Sequence, residues 1–291
     1  MPLKEPKYKR NVVIVEDYGG KYIKVTQCKT LRTKGLVCDD EPPIEKGSVN
    51  DEKLEVNIFR ARSIVYAYAL CNPWDWFVTF TLDKTKYNRY ALEIFHKALT
   101  QWLRDYNRKY GLKIKFLLLP EQHKDGAWHI HGLLYGLPVE HLTPFTLQER
   151  LPKYIRDQLE KGDSIYNWEP YAAKFGFCDI EPIRDNESAC KYVLKYITKD
   201  LSRCVSELNA HMYYCSRGLR RAETLKQGVL IDRFEEIARI DYENDYVRVA
   251  WLPHDEDTIQ RLLKAVRTDR ELKQEGERQN DPANGDRGIP D

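Results

Sequence analysis

Two histidines one residue apart, His129 and His131 in the run WHIHGLLYG, and a carboxylate a few residues upstream, Glu121, are residue types that can bind a divalent metal ion. In an extended strand the pleat sends both imidazoles to one face and Ile130 to the other. Residues 113–136 read as the hairpin that would position them: an apolar run over 114–119, a turn at Lys124-Asp125-Gly126, and a second apolar run over 128–135. A short turn brings Glu121 level with the histidines and makes a two-histidine, one-carboxylate set. Such a set leaves coordination positions open for water or a substrate oxygen. His123 competes as the third ligand, whereas His96 and His141 read as structural or surface residues. An ordinary polar strand face can also carry alternating histidines, so the assignment needs a second chemical group elsewhere.

That group lies downstream. At helical spacing Tyr192, Lys195, Tyr196 and Lys199 in KYVLKYITK fall at i, i+3, i+4 and i+7 and form one stripe, while Val193, Leu194, Ile197 and Leu201 form another face. The aliphatic face already supplies a core contact, leaving two tyrosines beside lysines where a solvated face more often carries Glu, Gln or Ser. A phenol becomes a nucleophile when its proton is removed, and a neighbouring ammonium favours that ionisation. Tyrosines lying over lysine stems at a protein surface are the structural alternative.

Together the motifs resemble the HUH endonucleases, and among them the rolling-circle replication initiators (Rep proteins) of plasmids, phages and integrated elements. WFVTFTLD at 76–83 resembles that family's first motif, WHIHGLL at 128–134 its His-hydrophobic-His motif, and KYVLKYITK contains its Tyr-x-x-Lys motif twice, as Tyr192/Lys195 and Tyr196/Lys199. The likeness covers residues 72–221. Conjugative relaxases carry the tyrosine before a three-histidine motif, whereas both tyrosines here follow a two-histidine motif, so the order favours an initiator. Tyrosine transposases of small insertion elements share the order but are shorter and have a single tyrosine; they remain an alternative. So does a metal-free module that binds single-stranded nucleic acid. A histidine-triad hydrolase would need a third alternating histidine where Leu133 stands.

The resemblance implies a metal-dependent DNA-nicking endonuclease and strand transferase. His129, His131 and Glu121 would hold Mg2+ or Mn2+. Tyr196, Tyr192 or both in turn would form a 5′-phosphotyrosine bond and free a 3′ hydroxyl for extension, with Tyr196 preferred if one acts. Lys195 and Lys199 would favour phenolate or neutralise phosphate, and Lys191, Arg217, Arg220 and Arg221 would bind DNA. The implied partner is single-stranded or supercoiled origin DNA. No G-x-x-x-x-G-K-[ST] phosphate loop occurs, so a helicase, like the polymerase, would be supplied in trans. The implied fold is α+β, a central antiparallel sheet with flanking helices akin to RNA-recognition folds. Composition by itself supports only mixed α and β.

With 291 residues the chain can hold one substantial core plus extensions, and a formal charge of +2 gives no global nucleic-acid signal. Basic residues gather locally instead: Arg104, Arg108, Lys109, Lys113 and Lys115 precede the hairpin, and others surround the tyrosines, while 232–257 is mainly acidic. The seven cysteines include no C-x-x-C pair, which argues against a zinc ribbon. Without an apolar signal segment or a long apolar span, a cytoplasmic protein with no membrane partner is expected. The expected organisation is an N-terminal extension over 1–50 with a small hairpin and a linker, an endonuclease domain over 51–221, and an acidic C-terminal extension over 222–291 whose tail, from 276, is disordered. Within these, helices are expected over 51–70, 88–110, 147–161, 187–201 and 231–240, and strands over 76–82, 175–183, 211–215 and 245–252. The aromatics Tyr166, Trp168 and Tyr171 would stack on bases or pack against protein.

Overall fold

The first two strands, β1 (Tyr8–Tyr18) and β2 (Tyr22–Arg32), form an antiparallel hairpin across Gly19-Gly20. Both glycines have positive φ, 71° and 73°, the left-handed geometry that the two central residues of a type I′ turn require, and Lys21 completes the three-residue loop before Tyr22 pairs with Tyr18. The computed structural model describes residues 8–32, 51–198, 201–202, 204–205 and 211–279. It divides into two units, Met1–Pro42 with Ala222–Asp291, and Pro43–Arg221.

The central unit starts with α1 (Asp51–Cys71), which stops before Asn72-Pro73 as the proline dictates. Then follow β3 (Trp76–Thr81), α2 (Leu92–Tyr110), β4 (Lys115–Gln122), β5 (Trp128–Tyr135), β6 (Thr143–Pro144), α3 (Lys153–Glu160), β7 (Tyr166–Asn167), α4 (Glu169–Lys174), β8 (Cys178–Pro182), α5 (Asn186–Val193), a 3-10 turn (Leu194–Tyr196) and β9 (Tyr214–Cys215). The strands make one antiparallel sheet in the order β6-β7-β8-β3-β5-β4-β9. Strand alternation divides its residues between two faces. Trp76, Val78, Phe80, Trp128, Ile130 and Leu134 share a core with Leu92, Phe95, Leu99 and Leu103 of α2, and Trp168 and Tyr171 are fully buried in that core. Phe77, Thr79 and Thr81 therefore face the other way, together with His129 and His131. Helix α2 ends as expected at Gly111, whose φ of 66° lets its N–H cap the Asn107 carbonyl.

Gly132 lies between His131 and Leu133 for a different reason. A Cβ there would come within 2.2 Å of the Leu117 carbonyl oxygen and 2.9 Å of Leu118 Cα, both backbone atoms of the adjacent strand. Gly132→Ala must push β4 and β5 apart beside the Leu119/His131 pair. We expect a loss of about 1–3 kcal/mol in urea unfolding, the usual range for overpacking. A loss under about 0.5 kcal/mol, the range of ordinary surface changes, would show that the strands close up without cost.

After the central unit the chain returns with β10 (Glu223–Leu230), α6 (Phe234–Ile237), β11 (Tyr242–Glu243), β12 (Val247–Pro253), α7 (Glu256–Ala265), β13 (Val266–Arg267) and α8 (Asp269–Gln279). These join the first hairpin in a second antiparallel sheet, β11-β12-β2-β1-β10-β13, whose core holds Val13, Val15, Ile23 and Val25 with Phe234, Ala250, Leu262 and Val266. The two stretches read from sequence as separate extensions are thus one unit. The helix expected over 231–240 shrinks to the single turn α6. Residues 276–279 of the expected disordered tail belong to α8, and the rest of that tail lies outside the described residues; of the linker expected over 31–47, residues 31–32 end β2 and 33–47 lie outside the described residues. No helix among the described residues is long and apolar enough to cross a membrane.

Candidate active site

The hairpin that carries the histidines forms in the expected register: Glu121 pairs with His129 and Leu119 with His131. Its turn is set by Gly126, φ 82°, whose N–H meets the His123 carbonyl, and by the Asp125 carboxylate, which accepts from Ala127 N–H. On the other side β3 pairs Thr79 with His131 and Thr81 with His129. The Thr81 hydroxyl lies 3.1 Å from His129 Nδ1 and the Thr79 hydroxyl 3.3 Å from His131 Nδ1. With Nδ1 engaged on each ring, Nε2 is the nitrogen left for chemistry. His131 Nε2 meets Glu121 Oε2 at 2.8 Å, and this hydrogen bond above all holds the Glu121 carboxyl below its ordinary pKa.

His129 is shifted down as well, toward its neutral form. Burial, and then the nearby His123, lower its pKa to about 4, so it is neutral and able to donate a lone pair throughout the physiological range. The His123 ring stacks on it, centroids 3.7 Å apart. As the side chains stand, no three His, Cys, Asp or Glu residues among the described residues are grouped to hold a metal ion. The chemistry of the donor set nevertheless fits one. Two imidazoles oriented through Nδ1 and an ionised carboxylate are suitable ligands, and the Nε2–Oε2 contact keeps Glu121 beside His131. His123 contacts His129 and Glu121 contacts His131, so both third-ligand candidates remain beside the pair.

The tyrosine segment departs from the expected continuous helix. Asp185 caps its start, accepting from the N–H groups of Glu187 and Ser188. The α-helix ends at Val193 and tightens to a 3-10 turn through Tyr196. This change separates the two tyrosines: Tyr192 is 46% exposed and Tyr196 only 7%. Tyr196 stacks on His131 with centroids 4.1 Å apart and planes 12° from parallel. Phe77 packs edge-on to Tyr192 at 5.2 Å, and the two tyrosine rings meet at 5.9 Å. Arg62 of α1 donates to the Ile197 carbonyl just beyond the turn. Burial raises the Tyr196 phenol pKa well above its ordinary value, and hydrogen bonding with Tyr192 adds to the rise.

Lys195 lies over the faces of both rings, Nζ 3.4 Å from the Tyr192 centroid and 4.8 Å from that of Tyr196, so its charge reaches the phenols through the π systems. Lys199 lies outside the described residues. Among the predicted DNA contacts, Lys191 pairs with Glu187 one helical turn back at 2.6 Å, and Arg221 Nε donates to the Tyr68 hydroxyl at 2.6 Å. Arg217 is exposed, and Arg220 is exposed with its backbone N–H held by Asn72. Those three arginines follow β9 at the far edge of the sheet.

One member of the site escaped the sequence reading. Asp179, paired with Thr79 across β3 and β8, is 1% exposed and accepts from the Tyr154 hydroxyl at 2.7 Å. Burial raises its pKa, and the Tyr154 and Thr79 hydroxyls oppose that rise. A single aspartate in an apolar strand carries no spacing signal; only its being the register partner of Thr79 links it to the histidines.

Residues 75–201 match the model of the replication-associated protein ORF2/G2P family. No curated protein and no solved structure matches the chain. The matched segment contains β3 with its threonines, Glu121, His129, His131, Asp179, Lys191, Tyr192, Lys195 and Tyr196. It excludes α1, the basic turn after β9 and the whole unit built from the chain ends. The segment is thus similar to the replication-associated proteins of that family, consistent with a Rep-type initiator; the α+β architecture, antiparallel sheets flanked by helices, is compatible with an HUH endonuclease, and DNA is the partner the family implies.

Proposed function

We propose that the central unit is a site-specific, metal-dependent single-strand DNA endonuclease and strand transferase that starts rolling-circle replication. The observation that carries this reading is Tyr196 stacked on His131 while His131 touches Glu121, which puts a candidate nucleophile against a candidate metal ligand. His129, His131 and Glu121, with His123 as the alternative third donor, would hold Mg2+ or Mn2+, an ion that when bound neutralises phosphate charge. The chain's own groups do the rest. Tyr196 Oη gives up its proton to solvent and bonds to the scissile phosphorus, the P–O3′ bond breaks, and the departing 3′ oxygen takes up a proton from solvent, so that no net proton is gained or lost. Because burial opposes loss of the phenol proton, Tyr196 depends on nearby positive charge, and Lys195 over both rings supplies part of it. The Tyr192 ring beside it is the candidate for holding or attacking a second strand.

Labelled single-stranded DNA or supercoiled origin plasmid, incubated with the pure chain and Mn2+ but no ATP, should give a protein–DNA adduct that survives denaturation. Excess chelator should suppress it. Cleavage that persists in chelator, or that leaves no adduct, would remove the metal or the covalent step from the mechanism. A transposase would produce the same first adduct, so the free 3′ hydroxyl is then offered to a polymerase and the extended product sized.

A further inference from the structure

We propose that a cavity beside the tyrosines reads one base of the single strand, and that Glu181 selects guanine there by accepting from its N1–H and N2–H groups. This deepens the proposed function and rests on its reading of the central unit as one that binds single-stranded DNA. The cavity measures about 360 Å3, at the small end of ligand pockets and suited to one flat base, and Phe77, Gln158, Glu181, Arg184 and Tyr192 are among the residues that line it. Its place follows from strand register. Glu181 of β8 pairs with Phe77 of β3, two residues along from the Asp179/Thr79 pair, so Glu181 and Phe77 lie on the sheet face that carries His129 and His131. The Phe77 ring lies 22° from parallel to that of Tyr196, centroids 6.5 Å apart, so a base on the cavity side of Phe77 is a neighbour of the phosphate that Tyr196 would meet.

Phe77 and Tyr192 meet at 80° and form an apolar corner in which a base can stack on one ring and abut the other. The polar wall is short of donors. Gln158 of α3 gives an Nε2–H to Glu181 Oε2 at 3.4 Å, and its own Oε1 is buried without a hydrogen-bond partner among the described residues. Arg184 is already paired with Asp163 at 2.8 Å. The Glu181 side chain is half-buried, and burial, followed by the charge of Asp179, raises its pKa, so the ionised carboxylate gains when N–H groups face it. A carboxylate repels a phosphate, which favours entry of a base over entry of the backbone. Guanine has two adjacent N–H donors on its Watson–Crick edge, matched to the two oxygens of a carboxylate. Adenine and cytosine set a single amino group beside a ring nitrogen that the carboxylate repels, and thymine sets one N–H between two carbonyls.

The test is fluorescence anisotropy of the full chain in excess chelator, where metal-dependent cleavage plays no part. The probes are labelled oligothymidine strands, unbroken or carrying one central guanine, adenine or cytosine. The guanine strand should bind about tenfold tighter or more than the others, the scale of one bidentate base contact. A 7-deazaguanine strand, its Watson–Crick edge intact, should bind as the guanine strand does, and a hypoxanthine strand, which lacks the N2 amino group, should lose most of the advantage. Glu181→Gln, which keeps the shape but replaces one acceptor with a donor, should bring all strands to within about threefold of one another, with oligothymidine affinity unchanged because phosphate contacts supply it. Equal binding of all strands by wild type, a full advantage with hypoxanthine, or a guanine preference that survives in Glu181→Gln would each overturn the proposal and leave the DNA reading standing. If the variant does not fold, the hypoxanthine comparison decides. A wild-type chain that binds none of the strands would sink the DNA reading and the proposal with it.

Discussion

Replacing His129 and His131 together with alanine should reduce DNA cleavage by about 10^3-fold or more while leaving single-strand affinity within about threefold. The first figure follows from the several kcal/mol that a metal's charge neutralisation contributes at a phosphoryl centre, with about 1.4 kcal/mol per factor of ten. The second follows because phosphate contacts by Lys and Arg supply most affinity for a nucleic-acid backbone, and neither histidine is among them. The fold should tolerate the change on this face, since the apolar face of β5, with Trp128, Ile130 and Leu134, is untouched. The decisive measurement pairs a cleavage time course in Mn2+ with fluorescence anisotropy of the same oligonucleotide. Retention of cleavage within tenfold would show that the pair is a polar strand face. A parallel loss of binding would show that its role is to hold DNA. His129 should remain a competent ligand down to about pH 4, because its depressed pKa keeps it neutral as pH falls from 7. A fall in activity between pH 7 and 5 would then arise from another group.

The tyrosines should differ. Tyr196→Phe should remove the first covalent adduct almost completely, by roughly 10^3-fold or more, as expected when a nucleophile is deleted from a unit that acts together. Tyr192→Phe should leave first cleavage within about tenfold and block transfer that requires a second nucleophile. Phenylalanine keeps the ring that stacks on His131 and meets Phe77, so packing is preserved and the hydroxyl alone is tested. The double substitution should form no adduct. Peptide mapping of the adduct, under conditions that keep the phosphotyrosine bond, gives the answer directly. An adduct found only on Tyr192 would reverse the roles, and one found on neither would end the covalent mechanism.

Local pattern exposed most of the candidate site and little of the rest. The alternating His129-Ile130-His131, the turn at Gly126 and the Gly111 helix stop are short-range signals, and each is realised in the structure. The tyrosine segment misleads because KYVLKYITK keeps a helical repeat beyond Val193, while contact with His131 and the hydrogen bond from Arg62 accompany a tighter turn. There tertiary contact overrides propensity. Asp179 was invisible because its meaning lies in strand order, which pairs residues one hundred positions apart. The unit built from the two chain ends was missed for the same reason: β10, ETLKQGVL, has no strong alternation, and its partner β1 lies at the opposite end of the sequence.

That divided sheet has a consequence during synthesis. Its β1 needs β10 as a neighbour, and roughly 190 residues separate the end of β2 from the start of β10. At about 5–20 residues per second a ribosome takes on the order of 10–40 s to cover that interval. Through it the first hairpin exists without the partners that bury Val13, Val15, Ile23 and Val25, and a lone two-stranded hairpin is marginally stable in water. Every contiguous residue of the central unit emerges in the same interval. The site-bearing part can therefore be folded while the nascent chain is still attached, and the unit that contains β1 is completed after it, although β1 is made earlier.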